Sequence, residues 1–407
     1  MPDLSASPAP ALPRRVWIMI AAGAAIVTLA MGVRQSFGLF LTPLSLDLEI
    51  GRQAFGLTLA VQNLLFGLAQ PFIGAYADRH GAGRVAVIGA LIYVAGLAVA
   101  ATAANAAGVM IGLGLLVGLS MTGITFVVIM GAVGRAVPPE KRTLAFGIVT
   151  AGGSLGQFLV VPAAQGLIDA LDWRGALFVM AGLIAVIITL APAVSGRPSP
   201  GAAADGPPLK PALAEAFSHP SFWCLNAGFF VCGFHIAFVG TYLPGYIRDG
   251  GLNAGIGAAA LALIGLFNIA GSWLWGVWGS KGSKKALLAL LYALRGVIII
   301  AFLLVPLTPV SALMFASAFG FLWLGTVPLT NGLIGMIYGV RHLSALAGIV
   351  FLSHQVGAFF GAWGGGLAFD AFGSYDLIWT ASIALAFLAA VVNLPIREQP
   401  IARPAVA

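Results

Sequence analysis

Long apolar stretches dominate this sequence and restrict what it can fold into. Twelve of them reach about 20 residues or more, enough for a helix to cross a hydrocarbon core of roughly 30 Å. Only 8% of the 407 residues are charged, against about 25% in a soluble domain. The stretches cover residues 16–44, 53–76, 85–104, 108–133, 143–168, 175–195, 219–246, 256–278, 286–305, 310–338, 343–369 and 375–395.

The continuous apolarity of these stretches favours helices over barrel strands. A transmembrane strand alternates apolar and polar residues over about 10 positions, and none of these stretches alternates. Residues 1–15 are rich in proline and predict a short tail. Arg14 and Arg15 before an apolar run are typical of an export signal, but the many later spans favour a retained first helix. We therefore predict an all-α membrane protein with twelve transmembrane helices.

The basic residues determine the predicted orientation. The chain has 20 Lys and Arg against 13 Asp and Glu, a net charge of +7. With an even number of spans both termini share one face, and most basic residues fall on it, which the positive-inside rule makes cytoplasmic. The exceptions are Arg52, Arg174 and Arg248 on the other face, and Arg34 and Arg295 inside spans. We predict a multi-pass inner-membrane protein with cytoplasmic termini and no nucleic-acid partner.

A proline-rich connection at 196–218 divides the spans six and six. It separates a predicted bundle at 16–195 from a second at 219–395, which a tail at 396–407 follows. Tandem repeats of six helices are a transporter architecture with its binding site near the midplane. When the second half of the chain is aligned on the first at a shift of 201 residues, several residues fall on equivalent positions. These pairs are Arg34 and His235, Pro43 and Pro244, Thr125 and Thr326, Gly147 and Gly348, Gly156 and Gly357, and Asp169 and Asp370.

The loop after the second span reads Gly74-Ala-Tyr-Ala-Asp78-Arg79-His80-Gly81-Ala-Gly-Arg84. Gly74 permits a close helix approach, Asp78 can interact with a helix N-terminus or an arginine, and Gly81 permits a tight reversal. The string resembles the Gly-x-x-x-Asp-Arg-x-Gly-x-Arg signature of the major facilitator superfamily, with Arg84 one residue late. The resemblance implies two pseudo-symmetric six-helix bundles and a cytoplasmic gate made by Gly74, Asp78, Arg79, Gly81 and Arg84.

Two further segments resemble the monocarboxylate and oxalate/formate branch of that superfamily. One is Arg34-Gln-Ser-Phe-Gly-Leu-Phe, and the other runs from Ser353-His354-Gln355-Val356-Gly357 to Asp370. The resemblance implies a secondary transporter, monomeric as is common in the family, with a small organic anion as substrate. Animal proton-linked members carry an acid and an arginine one turn apart on helix eight, where this chain has Asn268 and Ser272.

Charges inside spans are candidates for function, because an ion in hydrocarbon is costly. Arg34 lies about 15 Å from the end of span one and can bind a carboxylate bidentately, unless it extends to the interface or bonds to helix carbonyls. His235 and His354 are candidates for assisting Arg34 in anion binding and for proton coupling, or for packing. Arg295 is a candidate for a charge role or for a brace between helices. Polar candidates for the substrate cavity are Gln62, Asn63, Asn268, Thr326, Asn331 and Gln355.

Cofactor chemistry is not indicated by these residues. Cys224 and Cys232 alone are too few to hold a metal, and no phosphate-binding loop indicates ATP drive. We predict a transporter and not an enzyme, which moves a mono- or dicarboxylate by alternating access through proton symport or anion exchange. The alternatives are efflux of hydrophobic drug-like compounds and, from another class, a membrane sensor or enzyme on the same scaffold.

Overall fold

The computed structural model describes residues 12–195, 209–339 and 342–401 of the chain. Most of the predicted N-terminal tail, linker residues 196–208 and the end of the predicted C-terminal tail lie outside these ranges. Throughout the described ranges the secondary structure is helical, and they contain no strand.

Twelve apolar helices, α1 to α12, account for almost all of the described chain. A short helix, Leu209–Ser218, precedes α7. The bounds are α1 Arg14–Asp47, α2 Arg52–His80, α3 Ala82–Ala101, α4 Ala106–Ala136, α5 and α6 within Pro139–Leu190, α7 Pro220–Asp249, α8 Ala254–Lys281, α9 Lys284–Leu304, α10 Pro309–Tyr338, α11 Leu343–Phe372 and α12 Asp376–Asn393.

The segment Pro139–Leu190 contains two helices. It has 52 residues, about 78 Å of helix and more than twice the thickness of a hydrocarbon core. The backbone breaks at Asp172, where φ is 63° and ψ is 179°. Asp172 Oδ1 then accepts hydrogen bonds from the backbone N of Arg174 and Gly175 at 2.6 and 3.0 Å, which caps the second helix. With α5 at 139–171 and α6 at 173–190, the predicted twelve crossings are confirmed.

Helices α1–α6 and α7–α12 form two bundles with matching helix boundaries. Helix α2 ends at His80 and its mate α8 ends 201 residues later at Lys281. The bundles meet along three seams, formed by α2 with α11, α5 with α8, and the second half of α1 with α7. The predicted two-bundle architecture is therefore confirmed.

Three helices are interrupted within the membrane. Helix α1 has a turn at Ser36, α4 has an extended residue at Thr125, and α10 is irregular between Phe321 and Thr326. Thr125 and Thr326 are equivalent positions of the repeat, so the breaks in α4 and α10 are pseudo-symmetric. Because a membrane interior lacks water, the backbone groups freed by such breaks need partners from the protein.

Candidate functional site

Helix α1 places Arg34 just before its turn, where the side chain is half-buried. Its Nη2 donates a hydrogen bond to Asn63 Oδ1 of α2, and its Cζ lies 5.9 Å from the centroid of the Phe66 ring. Asn63 Nδ2 donates to the carbonyl of Leu59 at 2.8 Å, which directs its oxygen towards the guanidinium. No carboxylate in the described residues pairs with Arg34, and its guanidinium has further donors available.

Helix α11 supplies the facing wall across the α2–α11 seam. The Phe66 and Phe351 rings meet edge to face at 5.7 Å, and Phe351 stacks on His354 at 5.6 Å. His354 Nδ1 lies 3.1 Å from Gln355 Oε1. The Arg34 site, as we name it, consists of Arg34, Asn63 and Phe66 from the first bundle and Phe351, His354 and Gln355 from the second.

The backbones approach closely where this wall is built. A Cβ added at Gly67, next to Phe66 in the chain, would lie 2.8 Å from Gln355 Cβ. Four of the six residues of the Arg34 site are predicted candidates, and the structure brings them together. Phe66 and Phe351 were missed as site residues, because aromatic side chains are abundant in a chain with 26 phenylalanines.

A second polar network crosses the α5–α8 seam. Gln35 donates to Gln157 Oε1 at 3.1 Å, and Gln157 Nε2 donates to the carbonyl of Leu261 on α8 at 2.9 Å. Asn268 Nδ2 donates to Ser154 Oγ at 2.8 Å. Sequence reasoning named Asn268 but missed Ser154 and Gln157. These two polar residues lie about one turn apart on span five, and this spacing could have indicated a shared polar face.

Asn268 also satisfies the broken backbone of α10. Its Oδ1 accepts a hydrogen bond from the backbone N of Leu324 at 3.0 Å, inside the irregular segment. Ser272 Oγ donates to the same oxygen at 2.9 Å. The buried amide therefore joins α5, α8 and α10, and its hydrogen bonds hold helices together.

Arg295 lies inside the second bundle and is fully buried. Its Nη2 donates to the carbonyls of Leu322 and Trp323 at 2.7 and 2.6 Å. Both carbonyls belong to the interrupted part of α10. The guanidinium thus replaces the backbone N–H groups that would bond these carbonyls in a continuous helix. Arg295 therefore connects α9 to α10, as expected of a brace between helices.

Four other predicted candidates lie apart from Arg34. His235 Nε2 is 2.8 Å from the carbonyl of Ser382 on α12, inside the second bundle. Gln62 Nε2 donates to the carbonyl of Leu113 on α4 at 2.7 Å. No hydrogen bond in the described part of the chain joins any of the four to Arg34. The other two are Thr326, whose Oγ1 is 3.2 Å from Cys232 Sγ, and Asn331, which is exposed on α10.

The predicted gate lies between α2 and α3. Gly81 has φ of 94° and makes the reversal between the two helices. Arg79 and Arg84 are exposed, and Gly74 lies near Val127 of α4. The side chain of Asp78 lies outside the described residues, so the gate as a whole stays a prediction.

The bundles are in close backbone contact at the face opposite the termini. Near the face where α2 begins, a Cβ on Gly56 would overlap the carbonyl of Ala362 across the seam. Near the face that carries the termini, a Cβ on Gly147 or on its repeat mate Gly348 would meet no described atom within 4 Å. The structure is therefore closed at the face opposite the termini.

Two apolar six-helix bundles that enclose a charged site at their interface define a membrane transporter. The family model that describes the Major Facilitator Superfamily matches residues 20–362. The chain belongs to this superfamily, and the predicted superfamily is confirmed. It is a multi-pass membrane protein and a transporter, not an enzyme.

Curated relatives and solved structures agree with this assignment. Mouse monocarboxylate transporter 11 is 28% identical over 373 residues, covering 85% of this chain and 79% of the relative. The MFS-type transporter YcxA of Bacillus subtilis is 25% identical, covering 94% and 95%. An inward-facing bacterial homologue of the human lysosomal transporter Spinster superimposes with a TM-score of 0.74 at 16% identity, covering 95% of this chain and 99% of that one. The predicted resemblance to monocarboxylate transporters is thus confirmed, and the Spinster homologue shares the fold.

Proposed function

We propose that this protein is a secondary transporter that moves a small organic anion, a mono- or dicarboxylate, across the inner membrane by alternating access. Its relatives include proteins named monocarboxylate transporters. The proposal includes cytoplasmic termini, as the positive-inside rule indicates, and a monomer as the transporting unit. With that orientation, the closure described above makes the structure inward-facing.

The observation that carries the proposal is the unpaired charge of Arg34. All 13 acidic residues lie in tails, loops or helix ends by sequence, and no carboxylate among the described residues pairs with this guanidinium. A half-buried charge without an opposite charge beside it is unfavourable in a membrane. A substrate carboxylate can take the position of the missing partner, with two parallel hydrogen bonds from the guanidinium. Phe66 and Phe351 offer apolar surface beside it.

Coupling to protons or to a counter-anion would act at the same site. His354 lies in the facing wall and can change its charge near neutral pH. His235 is the second candidate, although it lies inside the second bundle. Uptake driven by an imposed pH gradient in a His354→Gln and a His235→Gln protein tests symport. Gradient-driven uptake that persists in both variants rejects the two histidines as the proton-coupling groups, whereas a parent protein without gradient-driven uptake favours anion exchange.

Counterflow of labelled carboxylates in proteoliposomes tests the Arg34 site. The panel contains pyruvate, lactate, benzoate, oxalate and succinate. Loss of a charged hydrogen bond costs about 1.5–3 kcal/mol, so Arg34→Met should raise the half-saturation concentration by roughly 10- to 150-fold. Arg15→Met is the matched control, because Arg15 is an exposed arginine on the same helix.

Asn63→Asp provides a second and nearly isosteric variant. It places a carboxylate beside Arg34, which neutralises the site without removing the arginine. We expect this variant to fold and to lose anion transport as Arg34→Met does. Unaltered carboxylate flux in both variants, or counterflow of apolar drug-like compounds in place of carboxylates, would exclude the proposed site.

A further inference from the structure

Helix α2 lacks an N-cap of its own. Its N-cap residue is Gly51, which has no side chain to accept a hydrogen bond. Asp370 at the end of α11 supplies both acceptors: Oδ1 accepts from the backbone N of Arg52 at 3.1 Å, and Oδ2 from that of Gln53 at 2.8 Å. A Cβ on Gly51 would overlap the Asp370 carboxylate. The first bundle therefore receives a helix cap from the second.

The Arg52 side chain strengthens the same connection. Its guanidinium pairs with Asp249 at the end of α7, donates to the Tyr375 hydroxyl, and lies 3.7 Å from the centroid of the Phe369 ring. The Arg52 side chain is only 15% exposed, so the pair is partly shielded from solvent. Burial raises the pKa of Tyr375 to about 12, which keeps its hydroxyl neutral. We call Arg52, Asp249, Asp370 and Tyr375 the outer latch.

The repeat does not reproduce this latch at the other seam. Asn253 is equivalent to Arg52, and its Oδ1 caps its own helix by accepting from Gly255 N at 2.7 Å. Asp169 is equivalent to Asp370, and it accepts from Gln165 of its own helix at 2.8 Å. A cavity of about 430 Å³, lined in part by Asp169, Arg248 and Asn253, lies where the second latch would be. Among the described residues, side-chain hydrogen bonds and ion pairs at the closed face join α2 to the second bundle, and none joins α5 to α8 there.

We propose that Asp370 is a gating residue of the transport cycle, and that the outer latch controls opening at the α2–α11 seam. When the bundles rock apart at this face, α2 loses its cap and Arg52 loses Asp249 together. In this structure, no hydrogen bond or ion pair of the described residues gives either group a second side-chain partner within its own bundle. Opening at the α5–α8 seam carries no such penalty, because α8 is capped by its own residue Asn253. The proposal rests on the proposed alternating access, but not on the identity of the anion.

Pulsed electron spin resonance distances across the closed face test this gate. Spin labels at Leu46 and Leu377, 70% and 57% exposed at the ends of α1 and α12, report the separation of the bundles. The labelled protein, with Cys224 and Cys232 replaced by Ser, is measured in lipid nanodiscs without substrate. We expect Asp370→Asn, which removes one of the two acceptor oxygens and the negative charge at the N-terminus of α2, to raise the ratio of the long to the short distance about fivefold, the upper range of a charge–dipole interaction at an exposed helix end.

Asp169→Asn is the matched control, since it changes the equivalent carboxylate on the seam without a latch. It should leave the distances unchanged. Should Asp370→Asn fail to fold, Asp249→Asn breaks the latch at its other end and should produce the same shift. An unaltered distribution in the folded Asp370 or Asp249 variant, or an equal shift in Asp169→Asn, overturns the proposal. Because no substrate is present, failure of the Arg34 site would leave this result unaffected.

Discussion

Replacing Arg295 separates a structural arginine from a substrate-binding one. Arg295 and Arg34 are the two arginines predicted inside spans, and their surroundings differ. Arg295 is fully buried and donates to two backbone carbonyls of the interrupted helix α10. Arg34 is half-buried and donates to a single side chain on α2. We therefore expect Arg295→Met to affect stability and Arg34→Met to affect transport.

The size of the effect follows from the two carbonyls. A buried acceptor left without a donor costs about 1–3 kcal/mol, so the pair costs about 2–6 kcal/mol. Removal of the buried charge recovers part of this, because a guanidinium inside the bundle is itself unfavourable. We expect Arg295→Met to lower the free energy of unfolding by about 2–4 kcal/mol. Arg34→Met should change it by much less, because only the Asn63 side chain loses its donor.

The chain contains its own reporter for this measurement. It has two cysteines, of which Cys232 is fully buried and Cys224 is half-buried. In a Cys224→Ser background, a thiol-reactive fluorophore labels the protein only as unfolding exposes Cys232. The temperature of half-maximal labelling then compares the parent with Arg295→Met. Arg248→Met serves as a control, because Arg248 is exposed at the end of α7.

One outcome would refute this reasoning directly. If Arg295→Met keeps the unfolding temperature of the parent while the half-saturation concentration for carboxylates rises, Arg295 binds substrate. The interpretation of Arg295 as a brace would then be wrong. A lower unfolding temperature with normal half-saturation in the remaining folded protein is the expected result.

Two further substitutions test the seams between the bundles. Asn268→Ala should lower the free energy of unfolding by about 1–3 kcal/mol, because it leaves the backbone N of Leu324 without an acceptor; an unchanged unfolding temperature in the same thiol assay would contradict this. Gly56→Val should hinder closure of the α2–α11 seam, since its side chain would overlap the carbonyl of Ala362. Spin labels at Leu46 and Leu377 should then report mainly the longer distance, and a retained short distance would argue against close backbone contact at Gly56.

The architecture could be predicted because it depends on properties that the local sequence carries. A membrane-spanning helix needs a long apolar stretch, and the orientation follows from basic loops. The break between α5 and α6 was also predictable, because a gap separates the two apolar stretches. In the structure this gap is reduced to one residue, Asp172, which has non-helical backbone angles. The matching helix ends follow from the repeat, which is visible in the sequence as a constant shift.

The pairing of candidate residues could not be predicted in the same way. Sequence reasoning selected Arg34, Asn63, Asn268 and Arg295 as polar or charged groups in apolar stretches, but each has a different role in the structure. Their roles depend on which backbone groups nearby lack partners. Arg295 and Asn268 both bind the interrupted segment of α10, which contains Gly325 and lies just before Pro328, but the sequence does not say which side chains bind the freed backbone groups. The depth of a residue in the membrane can be counted from the sequence, whereas its hydrogen-bond partners can be identified only once the packing of the two bundles is known.

The two seams divide the proposed transport cycle between them. The α5–α8 seam carries side-chain hydrogen bonds near mid-depth, from Gln157 and Asn268, and no latch at its outer edge. The α2–α11 seam carries the Arg34 site and the outer latch on the same pair of helices. An anion that joins Arg34 to the α11 wall therefore acts on the seam that must open. A contact shifts a conformational equilibrium only by the difference in its free energy between the two conformations. The bound anion and the Asp370 cap therefore influence each other through α2 and α11, the two helices that they share.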